Sequence, residues 1–226
     1  MVRFACEAFK TQFVPQSIML EHLLKFFVVF LVVVEPLSIV PVFSSLTAGA
    51  SDRYRRRMAL KAVTLAAGIV LVFALGGAPF LSVMGISIES FRIFGGLLLF
   101  LIALEMVFAR ESGTRTSTDE RAESRRRADI SVFPLAFPLI SGPGALVTVL
   151  LWFGPVSIRE QAVMFGGLLL AAAAVLAITL VVMLLAAPIM RVLGVTGGNV
   201  ANRLFGVVLG ALAVQFVVDG VRASFG

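Results

Sequence analysis

One carboxylate stands in the middle of a long apolar run: Glu35, in Phe30-Leu31-Val32-Val33-Val34-Glu35-Pro36-Leu37-Ser38-Ile39-Val40-Pro41. A carboxylate at the centre of a membrane helix costs about 3 kcal/mol on insertion scales, and a group kept at that cost usually faces a cavity or a partner. Pro36 and Pro41 each lack an N–H and free a carbonyl one turn earlier. Freed carbonyls beside a carboxylate can coordinate a cation or build a proton-carrying site. The plainer reading is a kinked helix holding a hydrogen-bonded glutamic acid. A second stretch, Phe137-Pro138-Leu139-Ile140-Ser141-Gly142-Pro143-Gly144, packs two prolines and two glycines into seven residues, which no regular helix accommodates. Unwound backbone there offers carbonyls and amides, and a helix restarting near Gly144 turns its positive dipole end toward a ligand. Ser141 and Thr148, seven apart, share a face on helical spacing. A kink serving packing alone is the alternative. The candidates for binding a substrate or ion are thus Glu35, Pro36, Ser38 and Pro41 in one stretch, and Pro138, Ser141, Gly142, Pro143, Gly144 and Thr148 in the other.

Four further residues are candidates for gating or pairing: Arg92, Glu105, Arg203 and Gln215. Glu105 sits near the end of an apolar run, where it can pair with Arg110 or snorkel to the membrane surface. Gln215 and Asp219, four apart, share a helix face. Arg92 and Arg203 begin two similar apolar runs; interfacial anchoring is their plainer role and a gating ion pair the sharper one. Catalysis finds little support. Cys6 and His22 are the only residues of their types, which removes an intrachain disulfide, a multi-cysteine metal site and histidine chemistry. No carboxylate pair and no nucleophile with a base is visible. The Gly-Gly pairs lack the Lys and Ser/Thr of a phosphate loop and read as helix contacts. The expectation is no enzyme, no cofactor and no metal.

The elements that must position these residues are membrane helices. Of 226 residues, 59% are hydrophobic and 14% charged, against about 25% charged in soluble domains. The apolar residues fall in blocks of roughly 20, the length that crosses a bilayer core as a helix. Six spans are expected, at 18–46, 62–83, 91–108, 130–153, 161–185 and 200–221, after an N-terminal tail at 1–17 that lacks a signal-peptide pattern. The segment 110–129, rich in Ser, Thr, Arg and Glu, has too few apolar residues to pack and reads as a flexible linker. Basic residues concentrate after spans one, three and five, with Arg53, Arg55, Arg56, Arg57 and Lys61 in one cluster and Arg121, Arg125, Arg126 and Arg127 in another. The positive-inside rule makes those loops cytoplasmic and puts both termini outside. The net charge of +6 therefore reflects topology, and no nucleic-acid partner is expected. The lipid bilayer is the first partner, and the small-residue helix faces leave a homo-oligomer open.

The two halves of the chain resemble each other. Ala78-Pro79-Phe80-Leu81-Ser82-Val83-Met84-Gly85-Ile86-Ser87 aligns with Ala187-Pro188-Ile189-Met190-Arg191-Val192-Leu193-Gly194-Val195-Thr196. Phe91-Arg92-Ile93-Phe94-Gly95 aligns with Asn202-Arg203-Leu204-Phe205-Gly206, and Pro36-Leu37-Ser38-Ile39-Val40-Pro41 with Pro138-Leu139-Ile140-Ser141-Gly142-Pro143. Chance accounts for matched Leu and Val but not for matched Pro, Gly and Arg in order. Three-helix repeats at 18–109 and 130–226 must enter the membrane from opposite sides, because three is odd. Inverted repeats with Gly/Pro-interrupted helices at corresponding places are the architecture of secondary transporters, whose substrate site lies where the broken helices meet.

Three stretches carry a family resemblance: Glu35-Pro36-Leu37-Ser38-Ile39-Val40-Pro41-Val42-Phe43, Phe91-Arg92-Ile93-Phe94-Gly95-Gly96-Leu97-Leu98-Leu99-Phe100 and Phe137-Pro138-Leu139-Ile140-Ser141-Gly142-Pro143-Gly144-Ala145. They resemble the MarC family of bacterial inner-membrane proteins, over nearly the whole chain after Ile18. The resemblance implies six spans in the plasma membrane and a place beside the LysE-type exporters. In the family's first motif, Asp or Asn more often precedes the proline and Gly-Asn follows two residues on; here Glu35, Ser38 and Ile39 stand at those places. Residues and resemblance together suggest a secondary transporter of an unknown small solute, with export as one direction left open. The alternative is a non-transporting scaffold or assembly factor that docks through the Arg-rich linker.

Overall fold

The computed structural model describes residues 16–108, 129–157 and 161–225. The tail before residue 16 and the linker up to residue 128 lie outside the described residues. The regular elements are helices: α1 Gln16–Val34, α2 Pro36–Leu46, α3 Asp52–Val83, α4 Ile88–Phe108, α5 Ser131–Ile140, α6 Pro143–Phe153, α7 Ala162–Leu184 and α8 Ala186–Phe225. Five stretches are long and apolar enough to cross a membrane: Met19–Leu46, α3, α4, α7 and Arg203–Phe225 within α8. A sixth crossing is the pair α5–α6, bent by 56°.

Local signals set the helix ends. The Ser51 side chain accepts from the Tyr54 N–H at 3.3 Å, and Asp52 in the first turn of α3 complements the positive helix end. Gly85, at φ 70°, stops α3 in a conformation that glycine takes without steric cost. Ser87 accepts from the Ser90 N–H at 3.1 Å and so opens α4. A short turn at Gly85-Ile86-Ser87 thus joins α3 to α4.

The helices pack by exchange between the halves. α1 and α2 lie on α7; α3 lies on α5, α6 and α7; α4 lies on α8. The α4–α8 seam is made of small residues. A Cβ added to Gly96 would come within 2.8 Å of the Ala213 carbonyl oxygen, one on Gly206 within 3.0 Å of that of Ala103, and one on Gly220 within 3.0 Å of that of Glu89. Early α4 thus faces late α8, with the backbones in near contact, as small-residue membrane interfaces allow. Phe30, Leu99, Leu135, Ile140 and Leu168 fill the interior. Large apolar side chains also stand outward, among them Val72, Leu170 and Leu204, at 66, 73 and 64% exposure. Contiguous apolar surface of this kind belongs against lipid.

Two expectations need correction. Pro41 lies inside α2 and does not break it; a membrane helix tolerates a proline when neighbouring groups take up the freed carbonyl. The sixth span falls at Arg203–Phe225, close to the expected 200–221, but the loop expected between spans five and six is helix. α8 is a continuous helix of 40 residues from Ala186, about 60 Å long at 1.5 Å per residue. A helical glycine costs only about 1 kcal/mol relative to alanine, so Gly194 does not force a turn. Gly85 ends its helix by taking a positive φ, and its counterpart in the aligned repeat continues one.

Candidate functional site

The two broken spans differ in how they break. In the first, α1 closes with the Glu35 N–H donating to the Leu31 carbonyl at 3.1 Å. Glu35 then takes φ 50°, ψ 64°, the left-handed region, and is the only non-glycine residue with positive φ among those described. Pro36 explains why: a proline disfavours the helical conformation in the residue before it, and fits the first position of a new helix, where no N–H is needed. The Ser38 N–H donates to the Glu35 carbonyl at 3.0 Å and starts α2. Glu35 itself is 4% exposed, between buried Val34 and buried Pro36. A left-handed non-glycine residue costs about 1–3 kcal/mol, and such strain clusters at functional sites.

The second break is spread over a segment. Phe133 and Phe137 are extended, at φ −127°, ψ 126° and φ −133°, ψ 131°, each before a proline through a cis bond. Hydrogen bonds here reach back five residues, from Leu135 N–H to Ile130 O at 3.4 Å and from Ser141 N–H to Ala136 O at 2.9 Å. Gly142 follows, in extended conformation, and Pro143 restarts the helix at its first position. A Cβ at residue 142 would stand 2.4 Å from the Pro138 carbonyl oxygen, so no side chain fits there. Gly144 is nearly as confined: its Cβ would meet Ile102, Val33 and Leu99 at 3.0, 3.1 and 3.2 Å.

The breaks cross. α1 packs on α6, and α2 packs on α5, so the half before each break touches the half after the other. A cavity of about 130 Å³ lies at the crossing, lined by Val33, Leu98, Ile102 and Leu139 with Gly142, Pro143, Gly144 and Ala145. An apolar cavity of about 150 Å³ takes a benzene-sized molecule, so this space suits a small solute. The first intrahelical bond of α6 runs from Leu146 N–H to Gly142 O. The amides of Gly144 and Ala145, the two residues before Leu146, have no acceptor within the helix and form its positive end.

The predicted residues fall out as follows. Gly142, Pro143 and Gly144 line the cavity, and Pro138 backs Gly142. Ser141 is fully buried and donates from Oγ to the Ala66 carbonyl on α3 at 3.3 Å. Thr148 is also fully buried and donates to the Gly144 carbonyl at 2.9 Å. The expected shared face of Ser141 and Thr148 is not formed as drawn, because Ser141 precedes the break and helical spacing does not carry across it. Glu105, half-buried, is three residues beyond Ile102, on the stripe of α4 that bears Leu98 and Ile102; Arg110 lies outside the described residues. Arg92 and Arg203 sit toward opposite ends of the antiparallel α4–α8 seam, since Ile93 meets Gly220 while Met106 meets Gly206. Gln215 donates to Asp219 on its own helix at 2.8 Å.

Sequence reasoning missed the contacts that fasten the ends of these spans. Lys61 Nζ donates to Asp129 Oδ2, while Asp129 Oδ1 accepts from the Ser131 N–H at 3.0 Å and the Ser131 hydroxyl at 2.5 Å. Hydrogen bonding by Lys61 first, and by Ser131 second, holds the Asp129 carboxyl well below the usual carboxylate range. Residues 61 and 129 are 68 apart, and nothing local announces their pairing. At the other end the His22 ring meets the Trp152 ring edge-on, with centroids 4.5 Å apart. This joins the start of the first broken span to the end of the second.

A helical bundle with broken, crossing spans and an apolar exterior is a multi-pass integral membrane protein. The model of the MarC family, described as "MarC family integral membrane protein", matches residues 20–225, and the chain belongs to that family. It is 34% identical over 202 residues to the UPF0056 membrane protein YhcE of Escherichia coli (strain K12), covering 89% of this chain and 92% of that one. It is 38% identical over 199 residues to a UPF0056 membrane protein of Aquifex aeolicus (strain VF5), covering 88% and 91%. A third relative is the UPF0056 membrane protein YvbG of Bacillus subtilis (strain 168), 34% identical over 209 residues, covering 92% and 97%. No solved structure matches the chain.

Proposed function

We propose that the protein is a secondary transporter, working as an exporter of a small solute across the bacterial inner membrane, with its site where spans one and four break. The observation that carries this reading is the crossing of the two breaks over a cavity, with a buried carboxylate on one strand of the crossing. Two spans that touch before-to-after run antiparallel. The exchange of partners, α1 with α7, α3 with α5 and α6, α4 with α8, fits two three-helix halves inverted relative to each other. The positive-inside rule then puts the Arg53-to-Lys61 end and the linker in the cytoplasm, with both termini outside.

In this mechanism Glu35 binds the coupling proton or cation. The Gly144 and Ala145 amides hold an anionic or carbonyl group of the solute, and the Ser141 oxygen, still able to accept, orients it. No reaction is catalysed and no cofactor is needed. The test is solute-driven proton movement in proteoliposomes carrying an internal pH dye, across a panel of amino acids, metal ions and organic anions. Wild type should move protons with one solute class, and Glu35→Gln should insert normally and move none. Full pH-dependent transport by Glu35→Gln would sink the mechanism.

A further inference from the structure

A second cavity, larger and unlike the first, opens at the basic end of the bundle. It encloses about 550 Å³ between the α2–α3 connection and the α7–α8 junction. One side is charged: Arg55 and Arg56 from the first turns of α3, with Asp52 beside them. The rest of the lining is largely apolar, with Phe43 from α2 and Met183, Leu184 and Met190 from the α7–α8 side. Arg55 is held in place. Its Nε and one terminal nitrogen donate to the Thr47 carbonyl, each at 3.3 Å, while the Thr47 hydroxyl donates to the Phe43 carbonyl at 2.8 Å. Guanidinium has five N–H donors, so a second terminal nitrogen is left for a ligand. Arg56 is exposed.

We propose that this cavity binds an anionic glycerophospholipid of the adjacent leaflet, with the phosphate on Arg55 and Arg56 and an acyl chain along Met183, Leu184 and Met190. Charge and apolar surface face each other across one space, and only an amphiphile satisfies both. A bare phosphate would leave the apolar wall wet, and an acyl chain alone would leave two guanidiniums facing hydrocarbon. The apolar wall also continues outward. Leu184, on that wall, and its neighbour Leu185 are 44 and 49% exposed, so the apolar surface runs from the cavity onto the outside of the bundle. Basic pockets between helices at a membrane surface recognise lipid head groups in this way. The inference is independent of transport and of the cavity at the two breaks.

The full-length protein, purified in an uncharged detergent, is examined by native mass spectrometry and thermal unfolding with phosphatidylglycerol, phosphatidylcholine and inorganic phosphate. Phosphatidylglycerol should remain bound and raise Tm; phosphatidylcholine and phosphate should do neither. Arg56→Gln should weaken phosphatidylglycerol binding about fivefold, the worth of one basic group at a membrane surface. Arg53→Gln, outside this cavity, should leave it unchanged. Ala187→Phe should fill the space and abolish retention without touching a charge; should that variant fail to fold, the Arg56 and Arg53 pair carries the decision. Equal retention of phosphatidylcholine, or equal losses at Arg53 and Arg56, would overturn the site. Stabilisation by phosphate alone would make it a soluble-anion site and overturn the lipid.

Discussion

The first broken span breaks at one residue and buries a carboxyl group there; among its polar groups the second, which breaks over a segment, buries hydroxyls and backbone. At Glu35 a single left-handed residue separates α1 from α2. Between Ile130 and Gly142, two extended phenylalanines, hydrogen bonds that reach back five residues and a side-chain-free glycine produce a bend of 56°. The comparison separates two jobs. In the proposed mechanism the strained carboxyl takes the proton or cation, whereas the wide segment and the amide end of α6 supply shape and dipole. The first break is defined by a side chain that could be exchanged, and the second by a backbone path that could not.

That contrast can be broken most severely at Gly142. Gly142→Val drives a side chain into the Pro138 carbonyl, 2.4 Å from where a Cβ must sit. We expect a loss of about 3 kcal/mol, the upper end of overpacking costs, read as a lowered Tm and poor membrane yield. At Glu35 the backbone effect reverses. Glu35→Gly relieves a left-handed residue, worth about 1 kcal/mol, against the cost of emptying a buried side-chain site, so the net loss should be smaller than at Gly142 while ligand response disappears. A large destabilisation there would mean that the carboxylate is structural. Ser141→Ala should cost about 0.6 kcal/mol, the mean for a hydrogen bond between membrane helices, because it empties a contact to the Ala66 carbonyl on another helix. Thr148→Val should cost less still, since its hydroxyl bonds only its own helix at Gly144.

The smallest effect concerns the entry to the second broken span, which the first lacks. Asp129 has its carboxyl lowered in the folded state by Lys61 and Ser131. Its contribution is therefore fully present above the ordinary aspartate value of about 3.9 and is lost as pH falls from there through the lowered native value. Tm measured from pH 6 downward should bend below about pH 4, and Asp129→Asn should remove that part of the bend.

Much of this contrast was legible in the sequence because prolines and glycines act locally. Glu35-Pro36 and Gly142-Pro143 name their own breaks, since a proline constrains the residue before it wherever it stands. Pro41 and the loop after span five were misread for the same reason in reverse: Pro41 and Gly194 each lower helix stability without forbidding a helix, and their surroundings decide. The pairing of Lys61 with Asp129, the seat of Ser141 on Ala66 and the crossing of the two breaks depend on contacts across the chain that no local rule encodes. The repeat was expected from matched residues, and two of its aligned glycines behave differently, Gly85 ending one helix and Gly194 continuing another.

The most direct measurement is the thermal stability of purified wild type and Glu35→Gln side by side, at several pH values, against amino acids, metal ions and organic anions. A ligand bound by the folded state raises Tm in proportion to its saturation. The account predicts a shift from one class of small solute that depends on pH in wild type and vanishes in Glu35→Gln. The same shift in both proteins, at every pH, would contradict it.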